Sequence, residues 1–400
     1  MADTMETVYW DPFDPVVDAD PHATWKRLRD EAPVYRNDRY GFWALSRFAD
    51  VEAAHRDPAT FSSSHGTVLE IMGDEPFQGG MMIFMDPPEH TMLRALVSRA
   101  FTPRRVAALE ERIRGLCAEL LDPHVGSGGF DFVQDFGAAL PAMVIATLLG
   151  IPAEDQARAH HLIDTTFHIE EGVGMINDVS LSARIELHEY LTAQLAARVG
   201  EPRDDMLSDL VRAEVKTPDG GTRRLTLKES ADFADLLISA GTETVARLLG
   251  WAAVVLDEHP DQRAELAAEP GLIPATVEEL LRYEAPSPVQ GRWTTRPVEL
   301  HGVTIPEGSK VLLITGSAGR DERRYPHADR FDVHRPAEQH VSFGHGIHFC
   351  LGAALARLEG RIGLEETFRR FPTWRVDRER AVRLHTSTVR GWSSVPVELP

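Results

Sequence analysis

The segment from about Leu227 to His259 is the longest helix this sequence can form, and it constrains the fold more than any other stretch. It opens near Thr226, with Glu229 three residues later, the spacing of a capping box. Residues 89 to 260 read as mostly helical, with interruptions at Pro141, Pro152 and Pro202. Before them, residues 21 to 32 read as an amphipathic helix entering a hairpin, with Val34-Tyr35 and Phe42 to Leu45 flanking a turn at Asn37-Asp38. Further strand signals come late, at Val298 to Leu300, Val303 to Ile305 and Val311 to Thr315, separated by Gly302 and by Pro306-Glu307-Gly308. The pattern is that of a mainly α (α+β) protein, a helix-rich body with a small β-rich region. A length of 400 residues suggests two or three domains on a simple length prior. No linker supports a split, because the glycine patches at Gly126 to Gly129 and Asp219-Gly220-Gly221 are short loops. Residues 1–400 therefore read as a single domain.

The chemistry concentrates in Phe343-Gly344-His345-Gly346-Ile347-His348-Phe349-Cys350-Leu351-Gly352, which holds one of the chain's 2 cysteines. Gly344, Gly346 and Gly352 allow positive φ and close approach of a flat ligand. Leu351, Leu355, Leu358 and Ile362 then recur at helical spacing, which places Cys350 at a helix N-terminus, where the dipole favours a thiolate. The best partner for a thiolate presented in this way is haem iron. The alternatives are an inert buried cysteine and a nucleophile with a distant histidine. Phe343 and the glycines weigh against the first, and the length and spacing of the pattern weigh against both.

This segment resembles the cysteine-ligand loop of the cytochromes P-450, the haem-thiolate monooxygenases. Three other motifs extend the resemblance in the family's order: Glu279-Leu280-Leu281-Arg282, Ala240-Gly241-Thr242-Glu243-Thr244, and His90 with Arg94 in His-Thr-Met-Leu-Arg. The resemblance covers nearly the whole chain and implies the P-450 fold, haem b (iron protoporphyrin IX) as cofactor, and Cys350 as axial ligand of the iron. It also implies a helix-borne acid and alcohol, Glu243 and Thr244, for proton delivery, with Ala240 and Gly241 leaving room for dioxygen and permitting a local bulge. Back-bonding of Thr242 and Thr244 to carbonyls four residues earlier is the plain structural alternative, and Glu243 as a surface carboxylate is another. His90, Arg94, Arg292 and His348 match positions that hold the haem carboxylates, with Phe343 and Gly352 completing the loop. Arginine suits that task because its fork binds carboxylates bidentately. Glu279 and Arg282 read as structure, paired with a downstream arginine, here Arg335. One departure is Gly319 in Ala318-Gly319-Arg320-Asp321, where the family's bacterial pattern commonly has Asn, at an expected turn.

The resemblance implies insertion of one oxygen atom from O2 into a hydrophobic organic substrate by hydroxylation or epoxidation. The sequence contains no Gly-x-Gly-x-x-Gly fingerprint, flavin domain or iron–sulfur cysteine set, so electrons are expected from a separate ferredoxin and its NAD(P)H-dependent reductase. A peroxide-driven haem enzyme and a non-catalytic haem-binding sensor are the rival readings. Pocket candidates are Met81, Met82, Ile83 and Phe84 in the long loop of residues 62 to 88, with Phe167, Leu237, Ala240, Val289, Gln290 and Val389. They are mostly apolar, which suits a terpenoid, steroid, polyketide, aromatic or fatty acid. Met72 and Met85 in the same loop read as pocket wall or gap-filling core. A net charge of -20 argues against binding nucleic acid or an anionic membrane. Arg357, Arg361, Arg99, Arg104 and Arg105 form either a local basic patch for an acidic partner or ordinary solvated faces. No run of eighteen apolar residues is present, and Met1 to Trp10 is acidic with no signal-peptide core, so a soluble cytoplasmic protein of the bacterial type is expected. Cys117, beside Leu116 and Leu120, reads as core.

Overall fold

The strands foreseen near Val34, Phe42 and Val311 join one sheet in the computed structural model, which describes residues 8–77, 80–98, 101–166, 177–216, 221–336 and 339–400. The five strands run in the order Val34–Asn37, Phe42–Leu45, Lys310–Ile314, Val289–Thr294 and Phe61–Ser62. Only the pair Phe42–Leu45 and Lys310–Ile314 is parallel. Side chains alternate across a strand, and this sorts the central strand between two cores. Val311 and Leu313 pack with Leu45, Val51 and Tyr325 on one face, and Leu312 and Ile314 with Trp25, Leu28, Met72 and Val289 on the other. A separate hairpin pairs Val298–Leu300 with Val303–Ile305. These elements belong to a unit formed by the chain up to Phe77, Glu278–Cys350 and Arg383–Gly391.

The second unit comprises Gln78–Val277, Leu351–Val382 and Trp392–Pro400. Its axis is the helix Leu227–Glu258, 32 residues long. Thr226 Oγ1 accepts from the Glu229 amide at 3.2 Å, and Glu229 Oε2 accepts from the Thr226 amide at 2.8 Å, so the capping box forms as its spacing required. From Leu248 to Leu256 the helix is buried on every side, and every residue in that stretch is apolar or glycine, as such burial requires. The helices Ala139–Leu149, Asp178–Gly200 and Ala353–Arg370 pack against it. Pro141 does not interrupt the chain as its residue type suggested. It occupies the first turn of Ala139–Leu149, where a missing N–H costs nothing. One stretch among the described residues, Phe132–Leu149, is long and apolar enough to cross a membrane by length and composition, and 67% of it is buried. Counting unbroken apolar runs misses it, because Gln134 and Asp135 interrupt it.

Two buried ionisable groups flank the core of this unit. Cys117, fully buried on Glu110–Leu121, has its thiol pushed up to about 12 by burial, and its role is packing. Glu359 on Ala353–Arg370 is 1% exposed, and its Oε2 has no hydrogen-bond partner among the described residues. Burial pushes its carboxyl up to about 8, so it folds neutral. In the unfolded chain it ionises near 4.5. Between these values the unfolded state binds fewer protons, and stability falls as pH rises. We expect the melting temperature of Glu359→Gln to decline less than the parent's from about pH 5 to pH 8. Parallel decline in both proteins would refute this assignment.

Candidate functional site

The Cys350 turn is shaped by two left-handed glycines. Gly344 and Gly346 have φ of +66° and +67°, which side chains disfavour. A Cβ on Gly346 would also stand 2.6 Å from the His55 carbonyl oxygen. The Cys350 amide donates to the Phe343 carbonyl at 2.8 Å, closing the turn and leaving a half-exposed, unbridged thiol. The Phe343 ring lies between His340 and Phe349, at centroid distances of 5.7 and 6.3 Å. Two sequence expectations change here. Cys350 lies in the turn ahead of the helix, which begins at Ala353, so its amide is spent on the loop rather than on the helix. Gly352 is the helix N-cap with φ of -84°, ordinary backbone that makes no demand for glycine.

Arg292 sits on Val289–Thr294 in the same unit, 4% exposed. It donates to the Gly291 carbonyl at 2.7 Å and lies 3.5 Å from His55 Nδ1 through Nη2. His348 occupies the turn Gly346–His348 and is half-buried. Sequence motifs gave no sign of His55, a buried residue on Phe48–Arg56, because its neighbours carry no pattern that marks it.

Glu279, Arg282 and Arg335 come together. Arg282 donates to both Glu279 carboxylate oxygens at 2.7 and 2.8 Å, and Arg335 Nε adds a bond at 3.0 Å. Arg282 also donates to the carbonyls of Gly319 and Ala328, each at 2.7 Å. Gly319 lies in the short helix Thr315–Gly319 rather than in a turn, and a Cβ there would stand 2.4 Å from the Arg282 carbonyl oxygen. An Asn at 319 would force these backbones apart. A second network, which the motifs did not flag, surrounds Glu284. Burial alone would raise its carboxyl, but Arg390, His22 and Arg320 more than offset this and hold it well below the usual range.

In the other unit, the helix Leu227–Glu258 runs through Ala240 to Thr244 as regular α-helix, without the bulge the small residues suggested. Gly241 is explained by packing: a Cβ would stand 2.8 Å from Ile145 Cδ1. Ala240 is exposed. Thr242 and Thr244 donate to the carbonyls of Ile238 and Ala240 at 2.8 and 2.9 Å. Glu243 is no surface carboxylate. It is 8% exposed and pairs with Arg247 Nε at 2.9 Å, while Arg247 Nη1 donates to the Trp392 carbonyl. His90 and Arg94 share the helix Glu89–Val97. Burial, and then the Arg94 charge, lower the pKa of His90.

The cytochrome P-450 family model matches residues 175–391. The chain is 42% identical to the erythromycin C-12 hydroxylase of Saccharopolyspora erythraea, over 92% of each protein. It is 40% identical to the cyclomarin C epoxidase CymV of Salinispora arenicola, over 88% of each. The solved structure of cytochrome P-450 CYP109Q5 from Chondromyces apiculatus superposes with a TM-score of 0.87 at 36% identity, covering 98% of both chains. The chain belongs to the cytochrome P-450 family. It is a haem-thiolate monooxygenase, and its family implies b-type haem, dioxygen, a hydrophobic substrate and redox partners. The donor set of the cysteine turn fits that cofactor, with one half-exposed thiol for a metal and, in the same unit, a buried guanidinium suited to carboxylates.

The P-450 pocket candidates divide. Val289 is buried in the sheet core with Trp25 and Leu312, because strand alternation turns it to that face, and Met72 joins it there. Met82 and Leu237 are buried, while Met81, Phe84, Gln290 and Val389 are half-buried and Ile83 is exposed. The long loop is not structureless, since Leu69–Ile71 and Met82–Phe84 are short 3-10 turns. Phe167 and Arg99 lie outside the described residues. The basic patch is partly neutralised: Arg361 pairs with Glu110 and Glu365 at 2.8 and 3.0 Å, and Arg105 with Asp209 at 2.5 Å.

Removing one member of a buried ion pair strands the others. We expect Glu279→Ala to destabilise the P-450 by ~3–5 kcal/mol and to lower haem content. Urea denaturation and the haem-to-protein absorbance ratio check this, and a loss below about 1 kcal/mol would contradict the network's role.

Proposed function

We propose that Cys350 is the axial haem ligand of a cytochrome P-450 that oxygenates a hydrophobic organic molecule. The observation that carries this reading is the half-exposed thiol, held on a turn that two left-handed glycines shape, in a chain of this family. Arg292, His348, His90 and Arg94 would hold the haem carboxylates. Bound haem supplies reductive activation of dioxygen and insertion of one oxygen atom into a C–H or C=C bond.

The chain's own residues handle the protons. Thr244 holds its hydroxyl on the Ala240 carbonyl at 2.9 Å, so rotation about χ1 releases that proton for donation. Glu243 holds its carboxylate on Arg247, so it reloads Thr244 only when it exchanges that partner for water. The pair separates storage of a proton from its delivery. Ala240, with its methyl side chain, leaves this stretch of helix uncrowded.

Electrons come from a separate ferredoxin served by an NAD(P)H-dependent reductase, and the enzyme works in the cytoplasm. Residues 1–400 act as one P-450 domain, a reading supported by alignment with the CYP109Q5 structure over 98% of both chains. The apolar candidates Met81, Met82, Ile83, Phe84 and Leu237, with half-buried Gln290 and Val389, favour an uncharged, largely apolar substrate.

Cys350→Ser should abolish the red-shifted ferrous–CO band of the parent, and a retained band would overturn the ligand assignment. Thr244→Ala should retain haem but form product with on the order of 10-fold lower yield per NAD(P)H, with hydrogen peroxide released in its place. Equal coupling in mutant and parent would remove Thr244 from proton delivery.

A further inference from the structure

His55 is 4% exposed and lies against the cysteine turn. A Cβ built on Gly344 would stand 3.8 Å from its Cε1 and 3.9 Å from its Nδ1, while the His55 carbonyl underlies Gly346. Its Nδ1 faces Arg292 Nη2 at 3.5 Å. A guanidinium only donates, so Nδ1 is the acceptor and the ring proton resides on Nε2. That Nε2–H is buried and has no hydrogen-bond partner among the described residues. Burial first, then the charges of Arg292, His345 and His348, keep the ring neutral, in agreement with this tautomer.

A buried donor without an acceptor is costly. A histidine retained only for packing would place both ring nitrogens on its own fold. Here one nitrogen is spent on Arg292, and the other stands unmet beside the turn that carries Cys350. A guanidinium and an N–H set together at such a place match a carboxylate, and the haem this family carries has two. We propose that His55 is a haem-binding residue of this chain: its Nδ1 orients the Arg292 guanidinium, and its Nε2–H donates to a haem carboxylate. The proposal rests on Cys350 being the axial ligand.

The test uses the purified holoenzyme, His55→Leu and His55→Gln. Haem transfer to excess apomyoglobin reports retention, and the propionate bending band in the resonance Raman spectrum reports the contact itself. His55→Leu should lose haem about tenfold faster than the parent and displace the band. The Gln amide can accept from Arg292 and donate onward, so His55→Gln should keep a loss rate within about threefold of the parent, with a smaller band displacement. Equal loss rates in all three proteins would overturn the proposal. So would fast loss in both variants with an unmoved band, the signature of a packing defect. If His55→Leu does not accumulate, the His55→Gln band decides: displaced, it supports the contact, and superimposed on the parent's, it refutes it. The ferrous–CO band separates the two assignments. Its absence from the parent would refute Cys350 as ligand, whereas its persistence with an unmoved propionate band would refute His55 alone.

Discussion

Glu279 is buried and accepts three guanidinium bonds, two from Arg282 and one from Arg335. Buried ion pairs add little net stability, because desolvation offsets the attraction. Here the value lies in where the remaining donors go. Arg282 reaches the carbonyls of Gly319, Ala328 and Arg330, and Arg335 those of Pro326, His327 and Arg330. The chain from 320 to 335 is largely irregular, and this network takes up the carbonyls of Pro326, His327, Ala328 and Arg330 within it. That segment leads directly into the Phe343–Cys350 turn, so the placement of the thiol depends on a cluster with no chemistry of its own. The close approach of Gly319 to the Arg282 carbonyl shows how little slack remains.

A parallel logic governs the helix Leu227–Glu258. Its residues from Val245 to Leu256 are buried, and Glu243 and Thr244 lie just before that section. Glu243 is held on Arg247, and Arg247 on the Trp392 carbonyl, so this buried side chain has a partner that is itself anchored. In the proposed proton delivery, this ion pair is the contact that Glu243 must exchange for water.

Much of this was readable from local pattern. The capping box at Thr226 and Glu229, the hairpin at Val34 and Phe42, and the late strands rest on interactions between residues near in sequence. The misjudgements came where contacts from afar decide. Pro141 breaks a helix interior but not a first turn, and only the observed start at Ala139 tells which it is. Val289 reads as an apolar pocket residue until the sheet turns it toward Trp25 and Leu312. Gly241 reads as room for a ligand until Ile145 is found against it. For Glu243 the alternative of a surface carboxylate falls away, because it is buried against Arg247, which the distant Trp392 carbonyl holds.

Family membership was legible in the sequence, because the Phe343–Gly352 and Ala240–Thr244 patterns are particular residues at fixed short spacing, which local backbone geometry enforces. The surroundings of those groups came from the folded interior. Whether the Glu243–Arg247 pair is buried, with Arg247 on the Trp392 carbonyl, and whether His55 faces Arg292 across more than two hundred residues depend on which distant groups share one interior. Local spacing sets the Glu243–Arg247 and Thr244–Ala240 contacts, but burial and long-range partnering are properties of that interior.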